Sequence, residues 1–307
     1  MEIAKWLAFT AMTTLLAACG ADDTATQTGA NAATGASTSS AESPVQNPAL
    51  ATVLAGDHRT DAERERDQYR NPIETLKFFG VEPDMKVVEI WPGGGWYTNV
   101  LAPYIKSGGG TYYAAGFSPV GASERVQAAL ATFKTNFKDR PEIYGDVQMT
   151  VLGEGEEIAA PGTADVVLTF RNIHNFQGRG SSDVYFKAFY EALKPGGVLG
   201  VVEHRADGID GLPNDGSKGY AYEADVIAMA EGAGFTFVGG SEVNANAADT
   251  KDHPYGVWTL KPVRRSSAVR GQEDPGFDRA KFDAIGESDR MTLKFVKPVD
   301  AEEALLE

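Results

Sequence analysis

The sequence predicts an α/β fold: a mostly parallel, seven-stranded sheet with helices on both faces. Three observations carry this. Apolar runs of strand length alternate with helical patterns along most of the chain. The run Ala164-Asp165-Val166-Val167-Leu168-Thr169-Phe170 is almost continuous in apolar and β-branched residues, which suits a parallel strand buried on both faces. A second run, Lys86-Val87-Val88-Glu89-Ile90, is followed by Trp91-Pro92-Gly93-Gly94-Gly95-Trp96 and then a helical segment from Tyr97 to Ile105. That is a strand, a glycine loop and a helix start, an arrangement that lets backbone N–H groups approach a ligand.

The ends of the chain have a different character. Lys5 gives a thin basic start, and Trp6 to Leu16 is an apolar stretch too short to span a bilayer. Leu16-Ala17-Ala18-Cys19 resembles a bacterial lipobox, and Cys19 is the only cysteine in the chain, so no internal disulfide forms. The expected organisation is a lipoprotein signal peptide at 1–18, a disordered tether at 19–56, an α/β domain at 57–298 and a tail at 299–307. The tether is rich in Ala, Thr, Ser, Gly and Asn and buries too little to offset its ordering entropy. Asp22 is not the residue directly after Cys19. The expected address is therefore the periplasmic face of the cell envelope, held by lipid, with the outer membrane preferred. A net charge of −15 argues against nucleic acid as a partner, because both would be negative.

Within the domain the elements follow in order. Asp57 to Phe79 has a helical pattern, with Pro72 opening a new helix that Gly80 ends. Asp67, Tyr69 and Arg70 just before it form either the lip of a site or a cap with a surface ion pair. The second strand is read at Thr111 to Gly116, followed by a helix at Glu124 to Phe137 and a third strand at Val147 to Leu152. A fourth strand spans Ala164 to Phe170, with a helix at Asp183 to Leu193 and a fifth strand at Val198 to Glu203. Then come a helix at Tyr222 to Gly232, a sixth strand at Phe235 to Val243 and a last one at Met291 to Val296. Residues 244–289 are a loop-rich insertion with Tyr255 to Leu260 extended; a connection this long is expected to cover the mouth near Trp91 and His174. Ligands of such sheets bind at the carboxyl ends of the strands, so the residues after the first, fourth and fifth strands matter most.

The strand–acid–glycine loop at Val87 to Gly95, the strand Asp165 to Phe170 with Arg171-Asn172-Ile173-His174-Asn175 behind it, and Leu193-Lys194-Pro195-Gly196-Gly197-Val198-Leu199 together resemble the class I S-adenosylmethionine-dependent methyltransferases. Ile90 to Tyr97, Tyr69-Arg70-Asn71-Pro72 and Asp289 to Phe295 are similar to a group of bacterial exported proteins labelled predicted methyltransferases. The resemblance implies a Rossmann-like methyltransferase fold and S-adenosyl-L-methionine as cofactor, bound by Glu89, Trp91, Gly93, Gly95, Tyr97 and Asn172. Two positions depart from the family's pattern. Trp91 stands where the loop has its first glycine, and the second strand ends Ala115-Gly116-Phe117 without the acid that holds the ribose.

Methyl transfer from a sulfonium needs the acceptor held in line and, for an alcohol or amine, a proton removed. His174 past the fourth strand is the candidate base, with Tyr69 and Arg70 as candidate catalytic partners; the other reading of His174 is a ring bonded to its loop. Glu203 either orients His204 or joins it and Arg205 in a surface cluster. Four histidines without ligand spacing give no expected metal site. The implied function is a methyltransferase acting on a small-molecule substrate, exported as a lipoprotein. The alternatives are a non-catalytic ligand-binding lipoprotein that keeps the fold, and an enzyme of other chemistry in the same pocket.

Overall fold

The seven expected strands form one sheet in the order β3-β2-β1-β4-β5-β7-β6 in the structure, a computed structural model that describes residues 48–299. The strands are β1 (Lys86–Ile90), β2 (Thr111–Gly116), β3 (Gln148–Val151), β4 (Ala164–Phe170), β5 (Leu193–His204), β6 (Thr236–Gly240) and β7 (Arg290–Val296). The first five pair in parallel, and β7 runs antiparallel between β5 and β6. The strand order reverses between β1 and β4, so a crevice opens at their carboxyl ends.

Side chains alternate across the sheet with the period of two that a strand imposes. Val88, Ile90, Val167, Leu199 and Val201 pack on one face, against Phe186 and Phe189 of α9 (Ser182–Ala192) and Val226 of α10 (Glu223–Gly232). Val87, Val166 and Leu168 pack on the other, against Leu76 and Phe79 of α4 (Pro72–Phe79) and Val100, Leu101 and Ile105 of α5 (Thr98–Gly108), in a layer that Phe133 of α6 (Glu124–Phe133) and Tyr144 of α7 (Pro141–Tyr144) extend. Both layers bury several large apolar side chains completely, and this burial is the main stabilisation of the domain.

Three expectations change. The tether was expected to run to residue 56, but Pro48–Ala55 form a helix, α1, because Leu50 finds a buried place in the α5 layer. The signal segment, Cys19, the rest of the tether and residues 300–307 lie outside the described residues. The helical pattern at 57–79 divides into α2 (Asp61–Arg64), α3 (Asp67–Arg70) and α4, since Asn71 turns left-handed (φ 38°) and Pro72 starts a new helix. Tyr255 to Leu260 is not extended: Gly256–Thr259 make a 3₁₀ turn, pinned where Val257 N–H reaches the Lys218 carbonyl. Among the described residues no helix is long and apolar enough to cross a membrane.

Residues 244–289 are fastened to the sheet through polar side chains. The Asn244 amide donates to Thr75 and Thr292 hydroxyls, and Asp249 accepts from Tyr220, from His253 and from the Asp289 N–H. The insertion thereby holds Val257, Trp258, Lys261, Pro262 and Arg270 along the crevice.

Candidate functional site

A cavity of about 490 Å³ lies at the carboxyl ends of β1, β4 and β5. Its floor is the glycine loop. Gly93 (φ +60°) and Gly94 line it with nothing within 4 Å of where a Cβ would stand, so backbone faces the open space there. Gly95 does not. A Cβ on Gly95 would meet the Phe137 ring at 2.1 Å, so this glycine exists for packing and not for a ligand. Tyr97 forms a wall: its ring stacks on Phe170 at 3.5 Å and its hydroxyl donates to the Arg70 carbonyl. The Asn172 amide donates to the Ile90 carbonyl at 2.9 Å and so ties the ends of β4 and β1 together.

Trp91 and Arg171 directly follow β1 and β4, and both are left-handed (φ 42° and 62°). Non-glycine residues rarely adopt this region, so the packing at these two adjacent strand ends must hold them there. Trp91 is turned away from the cavity centre into an aromatic cluster, stacked on Phe117 at 4.4 Å with Phe176 and Tyr185 edge-on, and its buried indole N–H has no partner.

Glu89 is 2 % exposed, and its Oε2 takes the hydroxyls of both Thr98 and Tyr112. Burial raises its pKa to about 7 against the pull of those hydroxyls and of Arg171 and Arg70.

His174 sits at the start of α8 (Ile173–Arg179). Its Nδ1 lies 3.0 Å from Glu203 Oε1, and its Nε2 lies 3.0 Å from the Asn175 amide nitrogen. Both contacts select the tautomer in which Nδ1–H donates to the carboxylate and Nε2 accepts. Glu203 is fully buried and is held by the backbone N–H groups of Ile173, His174 and His204. It therefore orients His174, whereas the sequence left it either orienting His204 or in a surface cluster with His204 and Arg205. His204 bonds Ser288 through Nδ1, and burial, then His174 and Arg171, lower its pKa well below the usual histidine value, leaving it neutral. His174, Glu203 and His204 place potential ligand atoms within 4.8 Å of one another, a grouping their spacing in sequence does not suggest. The carboxylate oxygens are already shared among three N–H groups and an imidazole, so Glu203 acts as an orienting group.

The opposite wall is cationic. Arg66 Nε and Arg70 Nε both donate to Glu287, which also pairs with Arg290. Burial pushes the Glu287 carboxyl up, but Arg70, Arg290 and Arg66 outweigh it and hold it at about 2. Burial and the neighbouring guanidinium groups lower Arg70 and Arg171.

Of the expected residues, Glu89, Trp91, Gly93, Tyr97, Asn172, His174 and Arg70 line the cavity. Tyr69 faces a neighbouring groove with Gln68 and Asp283, where its ring packs on Gly286, and Gly95 lies under Phe137. Arg66, Arg171, Trp258 and Glu287 line the cavity in addition to the expected residues. Arg66 and Arg70 share one side of a helical turn, a same-sign pair that the sequence does display. Nothing local announces Glu287.

The seven-stranded, mostly parallel sheet with its covering helices is similar to solved structures of low sequence identity. The chain aligns with a putative sarcosine dimethylglycine methyltransferase from Galdieria sulphuraria at 15% identity, TM-score 0.51, over 77% of this chain and 86% of that one. It aligns with the [4+2]-cyclase SpnF at 15% identity, TM-score 0.52, over 82% and 93%. This is the class I methyltransferase fold. No protein-family model and no curated protein matches the sequence.

The cofactor of that fold carries a ribose diol and an adenine. The residues here do not fit it as they stand. No carboxylate ends β2, where Gly116 is followed by Phe117. The Oε2 of Glu89 is committed to two hydroxyls, and the Trp91 indole fills the space beside Phe117.

Proposed function

We propose that the chain is a small-molecule enzyme on the methyltransferase fold, working in the cavity at β1, β4 and β5 with His174 as its proton-accepting base. The observation that carries this is the buried Glu203, fixed by three backbone N–H groups and bonded to His174 Nδ1. A carboxylate so placed sets the ring's tautomer and stabilises the imidazolium once Nε2 has taken a proton. A substrate O–H or N–H would exchange with the Asn175 amide at Nε2. The test is turnover in a small-molecule extract, followed by mass spectrometry, with full-length wild type against His174→Gln. At least one compound is expected to be consumed by the wild type alone; no wild-type-dependent consumption would refute the reading.

Methyl transfer from S-adenosylmethionine is the second reading, favoured by the open backbone at Gly93 and Gly94. Adding the cofactor to the same extract separates the two. Trp91 gives a sharper check. Calorimetric titration with S-adenosylhomocysteine is expected to show no binding to the wild type and measurable binding to Trp91→Gly, which empties the space beside Phe117 and relieves the left-handed backbone. Binding to the wild type that Trp91→Gly weakens would mean that the indole supports the adenosine.

The lipobox-like Leu16-Ala17-Ala18-Cys19 supports anchoring in a bacterial envelope through an acyl chain on Cys19. In a detergent phase separation the wild type is expected in the detergent phase and Cys19→Ala in the aqueous phase or unprocessed. A wild type found wholly in the aqueous phase excludes the anchor.

A further inference from the structure

We propose that the cavity receives its ligand by an oxyanion, a carboxylate or a phosphate, seated among Arg66, Arg70 and Arg171. This rests on the reading of the cavity as the ligand site and adds the chemical class of what enters it.

Hydrogen-bonding capacity is left unmet in this cavity. Seven buried side-chain polar atoms of the described residues have no partner, and three of them belong to arginines lining this cavity: Arg66 Nη2, Arg70 Nη1 and Arg171 Nη1. Buried donors without acceptors are costly and are normally paired. Arg290, just behind the cavity, shows what a structural arginine achieves. It donates from Nε to the Ser288 carbonyl and from Nη2 to the Tyr69 carbonyl, and its Nη1 pairs with Glu287.

Charge is out of balance there as well. Among the described residues Glu287 is the carboxylate within salt-bridge reach of Arg66, Arg70 and Arg290, and Arg171 has none within that reach. Of the other two carboxylates lining the cavity, Glu63 is turned to Asn99 and to its capping box with Thr60, and Glu89 is buried with its Oε2 on the Thr98 and Tyr112 hydroxyls. A chain of net charge −15 thus keeps an excess of guanidinium groups in one pocket. Guanidinium groups match the planar or tetrahedral oxygens of carboxylate and phosphate, and a small rotation about their last bonds brings the free Nη groups onto such a ligand.

The supports of two of these groups are fixed, the backbone of Arg171 and the side chain of Arg70. Arg171 is fixed left-handed at the end of β4, with its N–H bonded to the Val202 carbonyl. Arg70 is clamped with its guanidinium 4.5 Å from the Trp96 ring and its Nε on Glu287. A cradle fixed in this way loses little freedom when the ligand arrives.

The test is isothermal calorimetry on the full chain with inorganic phosphate and, separately, malonate, against chloride at equal ionic strength. Saturable binding of at least one is expected, and the tighter of the two identifies phosphate or carboxylate. Arg171→Gln should weaken it by about tenfold or more, the scale of a lost charged hydrogen bond, while Arg171→Lys keeps part and Arg264→Gln, an exposed control paired with Asp283, keeps all. Arg70→Gln serves as a second variant, with circular dichroism to confirm folding. Neither anion binding beyond chloride, or binding unchanged in both glutamine variants, overturns the proposal. His174→Gln should bind both probes as the wild type does, so lost turnover with retained binding bears on the base alone.

Discussion

Turnover in the cavity is expected to fall by roughly 10²–10⁴ when His174 becomes glutamine, the range for removing a positioned general base. The loss should appear in kcat with KM little changed, because the oxyanion seat lies on the arginines and the ring acts on the proton. Glutamine is the informative substitution. Its amide can still donate to Glu203, so the buried carboxylate keeps a partner and the α8 start keeps its shape. Alanine would remove that partner and add a folding defect to the catalytic one. His204 gives no rescue as a base, since burial and the nearby cations disfavour its taking up a proton. If His174→Gln retained wild-type kcat on a compound the wild type consumes, the His174–Glu203 pair would be a structural link between α8 and β5 only.

The sheet was legible because it is written in local periodicity. Ala164 to Phe170 and Lys86 to Ile90 appear in the structure with the bounds their patterns indicate. The glycine loop was half legible. Gly93 and Gly95 look alike in sequence, yet one faces the cavity and the other accommodates Phe137, a residue more than forty positions away. The cationic wall was least legible. Arg66 and Arg70 precede the sheet, Arg171 follows β4, and Glu287, which holds two of them, is separated from Arg70 by 217 residues. A cluster assembled from such separations leaves no spacing to find. The same holds for Glu203: its neighbour in sequence is His204, but the β4–α8 connection delivers His174 to it from 29 residues away.

Glu89→Gln is expected to make the protein more stable at pH 8 by roughly 3 kcal/mol, with the difference shrinking as pH falls toward 4.5. The sign follows from linkage. Burial raises the Glu89 carboxyl from 4.5 to about 7, so between those values the folded chain holds a proton that the unfolded chain has released. Stability therefore falls as pH rises through this window, by ~1.4 kcal/mol for each pH unit crossed, and the loss is complete above the folded-state value. Glutamine keeps an oxygen for the Thr98 and Tyr112 hydroxyls and has no proton to lose, so its curve lacks this slope. Denaturant unfolding of both proteins from pH 4.5 to 8 measures the difference directly, and other carboxylates cancel in the comparison. Two parallel curves would show that Glu89 is ionised throughout. The site adds a coupling. Arg171 and Arg70 are among the groups that hold the Glu89 pKa down, so an oxyanion seated on them weakens their pull. Saturating phosphate or malonate should then move the Glu89 midpoint upward, and Arg171→Gln should reduce that response to the anion, with Arg70 left to carry the rest.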